Sequence, residues 1–425
     1  MKVCVIGAGV VGCATAYALT RAGHDVVQLE ASAQPGTGTS LANGAQLSYS
    51  YVEPMASPAT LMALPGLLLS ADSALELRLK WDTKQWAWLL KFAFACNPAQ
   101  ASRGTLSLLA LAALSRKKLD EWLDTNALEF ALQRNGKLVL CADKITLARQ
   151  AKLVRLQAGA GAIQEILDRK GCVDREPALA NYPDFVGGVW TASECAGDPL
   201  QYCAALVAAA TRRGLDARFS TRALRFVIKN GRVASLQTDS APVIADAYVL
   251  ATGIDAPALA SQLGERLSIY PVKGYSLTLR LRPGAETGTI CPVTSVTDLQ
   301  HKTVLAPLNG RLRVAAMAGI VGNDLSIPAA KIDQMISIVE KIYPKLCDFS
   351  DANDLGAWAG LRPATPNALP VVRPSRLPNV FLNVGHGALG FTLAAGCAVQ
   401  IANAIHESQA LRATVSPTRQ KTHLL

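Results

Sequence analysis

The chain has 425 residues, 50% apolar and 17% charged, which excludes a disordered or fibrous protein and predicts about two domains. Lys and Arg outnumber Asp and Glu 42 to 32; the resulting +10 charge favours anionic surfaces without specifying a fold. The basic residues are scattered, with only Arg116, Lys117 and Lys118 in a run, so no nucleic-acid partner is expected, whereas an anionic lipid leaflet stays open.

Ten cysteines include no CxxC pair, and no histidine stands at metal-ligand spacing, so neither a metal site nor a redox disulfide is expected. Met1 to Ile6 reads at once as a strand, without the charged and apolar segments of a secretory signal. The expected location is therefore cytoplasmic, with reduced thiols.

Val3 to Ile6 is a β-branched run, followed by Gly7-Ala8-Gly9-Val10-Val11-Gly12 and a small-residue helix through Ala14, Ala16, Ala18 and Leu19. A second strand, Asp25 to Leu29, ends on Glu30. This order is a dinucleotide-binding signature. Gly7 permits a tight turn, Gly9 admits a pyrophosphate against the backbone, and Gly12 lets helix and strand pack closely. Glu30 is placed to accept ribose hydroxyls and would repel a 2′-phosphate.

Residues 36–48 are small and polar, which fits a loop against a flat ligand and equally a surface loop. Residues 54–69 are strongly apolar, but Pro54, Pro58 and Pro65 forbid a spanning helix. Residues 73–130 read as helical and carry Trp81, Trp86, Trp88, Phe92 and Phe94. Strands are expected at 137–141, 223–228 and 247–251, and a β-rich sheet at 266–320. From Leu377 to Ile405, four glycines and several polar residues divide an apolar stretch into strand, turn and helix. That turn, Asn383 to Thr392, is a second glycine-rich helix start, whose partial positive charge would stabilise an anionic ring.

GAGVVG with Glu30, the TSxAN…Q loop, ATG at 251–253, PVKGYS at 271–276, GLRPxTP at 360–366 and GHGxxGxT at 385–392 follow one another along the chain. In that order they resemble the flavin amino-acid dehydrogenases and oxidases of the D-amino-acid oxidase superfamily, and most nearly the small subunit of the bacterial D-amino-acid dehydrogenases. The resemblance implies FAD and an α/β fold: a Rossmann-like FAD-binding domain with an interleaved α+β substrate domain on a mixed sheet. The expected division is 1–80, 187–265 and 350–425 for FAD, and 81–186 with 266–349 for substrate.

The same resemblance assigns cofactor contacts to Gly7, Gly9, Val10, Val11, Gly12, Glu30 and Ala31, and to Thr39, Ser40, Asn43, Gly44, Ala45 and Gln46 of the following loop. It adds Ala223 beside the adenine, Thr252 and Gly253 beside the pyrophosphate, and Gly387, Ala388, Leu389, Gly390 and Thr392 at the second turn. The sequence departs from the pattern at Gly44-Ala45, at Asn367-Ala368 where Asp-Gly is usual, and at Arg373 where Gly is usual.

Arg362 is the candidate for the substrate carboxylate, because a guanidinium forms two parallel hydrogen bonds to it and Pro363 holds the backbone extended. Tyr275 is expected to add a third bond, and Lys273 to stabilise electron-rich states of the ring. Tyr49 and Tyr51 line the pocket or simply pack, and His386 tunes the ring or bonds backbone within its turn. The expected reaction is oxidative deamination of a small D-amino acid, with electrons passed to a membrane quinone through peripheral contact with the cytoplasmic face of the inner membrane. The alternatives are an oxygen-using oxidase of glycine, sarcosine or another secondary amine, a D-proline or hydroxyproline dehydrogenase, and a non-enzymatic flavin-binding module.

Overall fold

The computed structural model describes residues 1–52, 54–58, 60–62, 75–285 and 290–415. Buried apolar runs build the middle of its first sheet, six strands in the order Val371–Pro374, Val380–Val384, Ala247–Leu250, Lys2–Ile6, Asp25–Leu29 and Asp216–Arg218, with the two edge strands partly exposed. All neighbours are parallel except the first pair. Lys2–Ile6 lies inside it, with Val3, Cys4 and Val5 fully inaccessible, as a strand covered on both faces should be.

The helix Val10–Arg21 is buried on nearly every side, because it runs between this sheet and the helix Gly390–Val415. Its small residues make that close packing possible. Gly390–Val415 packs in turn on Pro98–Thr125. A Cβ on Gly396 would stand 2.9 Å from the Ser115 nitrogen, and the Gly396 N–H donates to Ser115 Oγ at 3.1 Å. Within this stretch the segment Gly387–Ala410 is long and apolar enough to cross a bilayer, but 61% of its most apolar window is buried in the protein, which fits a core helix.

The second sheet is mixed. Its strands run Trp358–Ala364, Tyr270–Arg280, Arg311–Ile320, Thr303–Leu308, Ser295–Asp298, Lys137–Cys141, Gly187–Thr191 and Glu165–Asp168, and Leu75–Leu77 also pairs with Arg311–Ile320. One face carries Leu277, Leu279, Leu312 and Val314 against Met335, Ile338 and Val339 of the helix Ala329–Ile342. The opposite face receives the loop at residues 39–46, and this packing positions the site.

The expected strands and the strand–turn–helix at the C-terminal end stand as read. The region 73–130 differs at its start, where Leu75–Leu77 is a strand ahead of helices Thr83–Ala95 and Pro98–Thr125. Half of the apolar stretch 54–69, residues 59 and 63–69, lies outside the described residues. Sheet pairing also differs from the expected domain boundaries. Gly187–Thr191 hydrogen-bonds between Lys137–Cys141 and Glu165–Asp168, and Trp358–Ala364 edges the second sheet. Pro98–Thr125, expected with the substrate domain, contributes Leu108, Ala112 and Trp122 to the core around Val10–Arg21. An apolar run signals burial without saying which sheet it joins.

Candidate active site

The first glycine turn is tightly built. Gly7 has φ +104°, and a Cβ there would stand 2.6 Å from the Ala251 carbonyl oxygen; on Gly12 it would meet the Gly7 oxygen at 2.0 Å. A Cβ on Gly9 would meet only Ser40 Oγ, at 3.2 Å, so this glycine leaves open the space a phosphate needs. Val10 begins the helix, its N–H donating to Ser40 Oγ at 3.1 Å, and Val11 is partly buried beside it. Glu30 accepts from the N–H groups of Ala8 and Ser32 at 2.7 and 2.9 Å. Two such bonds fix the carboxylate and leave lone pairs for ribose hydroxyls. Ala31 follows it, exposed.

Three further segments reach this turn. Thr252 and Gly253 lie against it through Ala251, with Thr252 Oγ1 buried and without a hydrogen-bond partner. Ala223 begins the hairpin strand Ala223–Lys229, two residues after Thr221, whose N–H donates to the Glu30 carbonyl at 2.8 Å. The C-terminal glycine turn lies alongside, where a Cβ on Gly390 would contact Val10 and Val11 at 3.8 and 4.0 Å. Gly387, Ala388 and Leu389 form a single 3₁₀ turn ahead of the helix. His386 is buried with Nε2 unpartnered, and burial pulls its pKa down to about 4, so its ring is neutral at physiological pH.

The loop at 39–46 ties the two sheets together. Thr39 Oγ1 donates to the Leu361 carbonyl at 2.8 Å, Ser276 Oγ to the Ala42 carbonyl at 2.6 Å, and Arg313 Nη1 to the Asn43 carbonyl at 2.8 Å. Asn43 Oδ1 caps the Ala45 N–H at 2.8 Å, and a Cβ on Gly44 would rest on Val304 and Ala315. Ala45 takes the left-handed φ of +57°, so here that conformation falls on a residue with a Cβ. Gln46 pairs with Ala196, and the Ser48 N–H donates to Thr392 Oγ1 at 3.1 Å.

Arg362 lies on the loop-facing side of the second sheet. It retains some accessible surface, yet its guanidinium is packed deeply enough for burial to lower its pKa. Nη1 donates to the Met317 carbonyl at 3.1 Å, and no carboxylate among the described residues pairs with it. Met317 has φ +65° where the pairing of Tyr270–Arg280 with Arg311–Ile320 shifts register. Room for the guanidinium comes from Gly274, where a Cβ would fall 2.2 Å from Nη2.

Lys273 and Tyr275 are corrected. Arg362 pairs with Val272 across the antiparallel ladder, and Gly360 with Gly274. Because side chains alternate, Lys273 and Tyr275 point to the other face. Tyr275 packs in the core beneath Ala329–Ile342. Lys273 is 1% exposed; its Nζ donates to the Ser326 carbonyl and sits 3.4 Å from Asp324. Tyr49 is a core residue, whereas Tyr51 lies under Lys137, whose Nζ is 4.4 Å from its ring centroid.

Sequence reading missed three buried charges that hold residues 43–51. Arg313 is 4% exposed, with Nε unpartnered. Glu194 is fully buried and accepts the N–H groups of Tyr49 and Ser50 at 2.6 and 2.7 Å. Lys137 donates to Ser48 Oγ at 2.9 Å, and burial holds its pKa near 8 against the pull of Glu194. Both the lysine in a strand and the glutamate in a turn have local sequences that look solvent-facing; for Lys137 alone, the apolar company of its strand, Leu138 to Cys141, hinted at burial.

The residues fit FAD: an open cradle at Gly9, a ribose acid at Glu30, and the unpartnered buried atoms Thr252 Oγ1 and His386 Nε2 at the junction of the glycine turns. This constellation defines a dinucleotide-binding oxidoreductase. The family model for FAD-dependent oxidoreductases (DAO) matches residues 2–404, and the chain belongs to this family, with FAD as cofactor. A D-amino acid dehydrogenase 2 from Ralstonia nicotianae is 40% identical over 409 residues, 95% of this chain and 96% of that protein. Another from Pseudomonas aeruginosa is 40% identical over 397 residues, covering 93% and 92%. Among solved structures, L-proline dehydrogenase from P. horikoshii superposes with TM-score 0.74 at 16% identity, covering 96% of this chain and 93% of that one. Glycine oxidase from Bacillus cereus gives 0.72 at 18%, covering 96% and 97%. At these identities the structural likeness shows the fold alone.

Proposed function

We propose that this protein deaminates D-amino acids oxidatively to 2-oxo acids and ammonia. The observation that carries this is Arg362: a deeply packed guanidinium with no acidic partner among the described residues, facing the loop at 39–46. A substrate carboxylate would supply the missing counter-charge through two parallel bonds, and burial strengthens the pair. Holding the carboxylate this way fixes the rotation of the Cα–H bond and excludes water from it. FAD, when bound, supplies the acceptor for the α-hydride. The imino acid then takes up water to give ammonia and the 2-oxo acid. Kinship to the two D-amino acid dehydrogenases supports this substrate class and handedness.

The groups assigned to FAD are Gly7, Gly9, Val10, Val11, Gly12, Glu30 and Ala31; Thr39, Ser40, Asn43, Gly44, Ala45 and Gln46; Ala223, Thr252 and Gly253; and Gly387, Ala388, Leu389, Gly390 and Thr392. Anaerobic mixing with D- and L-amino acids tests the activity. Bleaching of the visible flavin band by D-amino acids is expected, and bleaching by L-forms alone overturns the proposal. Peroxide formed in aerobic buffer at the rate of turnover would instead favour the oxidase.

The electrons are proposed to leave to a membrane quinone. The helix Thr83–Ala95 buries Trp88 and Phe92 and yet exposes Trp86, Leu90 and Phe94 at four-residue spacing, with Trp81 fully exposed just before it. Lys80, Lys84 and Lys91 flank this stripe. An apolar stripe bordered by lysines suits shallow insertion in an anionic leaflet. Co-sedimentation with phosphatidylglycerol vesicles should be lost in Trp86→Glu/Phe94→Glu, with dye-linked turnover intact. Undiminished sedimentation would remove this face from the membrane.

A further inference from the structure

Gly274 and Gly360 stand directly opposite each other in the ladder between Tyr270–Arg280 and Trp358–Ala364. Each is overlaid by a large side chain. A Cβ on Gly274 would fall 2.2 Å from Arg362 Nη2, and one on Gly360 would fall 1.9 Å from Trp358 Cη2. Trp358 and Arg362, two residues before and two after Gly360, thus fold toward the same glycine pair on the sheet face that the loop at 39–46 covers. The cross-strand partner of Trp358 is Ser276, which bonds that loop at Ala42. Trp358 is partly exposed, so the protein does not cover all of its surface.

We propose that the Trp358 indole is the wall against which the substrate side chain packs, making it a specificity-determining residue that favours apolar D-amino acids. This deepens the proposed activity and rests on Arg362 as carboxylate site. With the carboxylate held at Arg362, a side chain running along this sheet face meets the indole. The glycine pair lets the guanidinium and the indole lie down side by side on this face, and the indole offers a flat apolar surface next to the carboxylate site. The two glycines are positioning residues, since a methyl at either one displaces a group lying on it.

The test uses FAD-loaded wild type, Trp358→Ala and Trp358→Phe, with a soluble dye acceptor. Steady-state constants are measured for D-alanine, D-leucine and D-phenylalanine, and the Kd of benzoate, an aromatic carboxylate without an α-hydrogen, is read from the flavin spectrum. Trp358→Ala should lose about tenfold or more in kcat/KM for D-leucine and D-phenylalanine relative to D-alanine, chiefly through KM, while Trp358→Phe stays within about threefold. Benzoate binding should weaken in parallel. Equal loss across the panel, or no loss, overturns the wall. If Trp358→Ala does not fold, Trp358→Leu gives the same comparison. If no D-amino acid reduces wild type, the activity proposal fails, and benzoate titration still decides whether the indole lines the pocket.

Discussion

Arg362 stands out in the sequence because Pro363, with Gly360 two residues before it, marks a constrained arginine. Its surroundings do not: the guanidinium reaches across the ladder to lie over Gly274, 88 positions earlier in the chain. If its pairing with the carboxylate orients the substrate, Arg362→Leu should keep the yellow cofactor and lose roughly a hundredfold or more in kcat/KM, two charge-assisted bonds being worth about 3 kcal/mol together. Normal reduction of that variant would remove the residue from the site. Lys273 and Tyr275 look equally promising in a linear motif, but one residue of strand offset sends them to the opposite face. Glu194 shows the reverse error, an unremarked residue that satisfies the backbone of 49–51 beside Lys137. Glu194→Ala should cost about 3–5 kcal/mol by leaving those donors and a buried lysine uncompensated, and Glu194→Gln less. Thermal unfolding of the FAD-loaded forms measures both, and near-equal melting of all three would show the network to be dispensable.

Among the elements, those with one strong local signal were read correctly. The two glycine turns, the helix Val10–Arg21 and the strand Val380–Val384 follow from small-residue and β-branched runs whose period is unambiguous. Pro98–Thr125 shows the limit, since its apolar stripe predicts a buried face without naming the neighbour. That neighbour is the C-terminal helix, approached so closely at Gly396 that backbone of Pro98–Thr125 fills the space of a Cβ. Gly396→Val should therefore force the helices apart and lower stability by about 1–3 kcal/mol, seen as a lower denaturation midpoint at unchanged slope. Arg373, which replaces the usual glycine, has found Glu265 as a two-pronged partner at 2.8 and 3.3 Å, so this departure is accommodated by an ion pair on the outer strand.

For the molecule as a whole, His386 couples stability to acidity at the meeting point of the two chain ends. Its folded pKa is near 4 against an ordinary value of 6.5, so between these the unfolded chain binds the extra proton. Its contribution is complete above pH 6.5 and declines as pH falls toward 4, by on the order of 3 kcal/mol. Stability measured across that window should fall less steeply in His386→Gln than in wild type; identical slopes would assign the acid sensitivity elsewhere. Sequence by itself determined the cofactor cradle, since a phosphate-binding turn, its helix and its terminal acid are contiguous and are specified by steric demands within about thirty residues. Only the tertiary structure decided which residues share the face proposed for substrate. Arg362, Trp358, Gly274 and the loop at 39–46 come together through cross-strand register and the packing of one sheet on a distant loop, and side-chain facing depends on hydrogen-bonded pairing between segments that no local periodicity can specify.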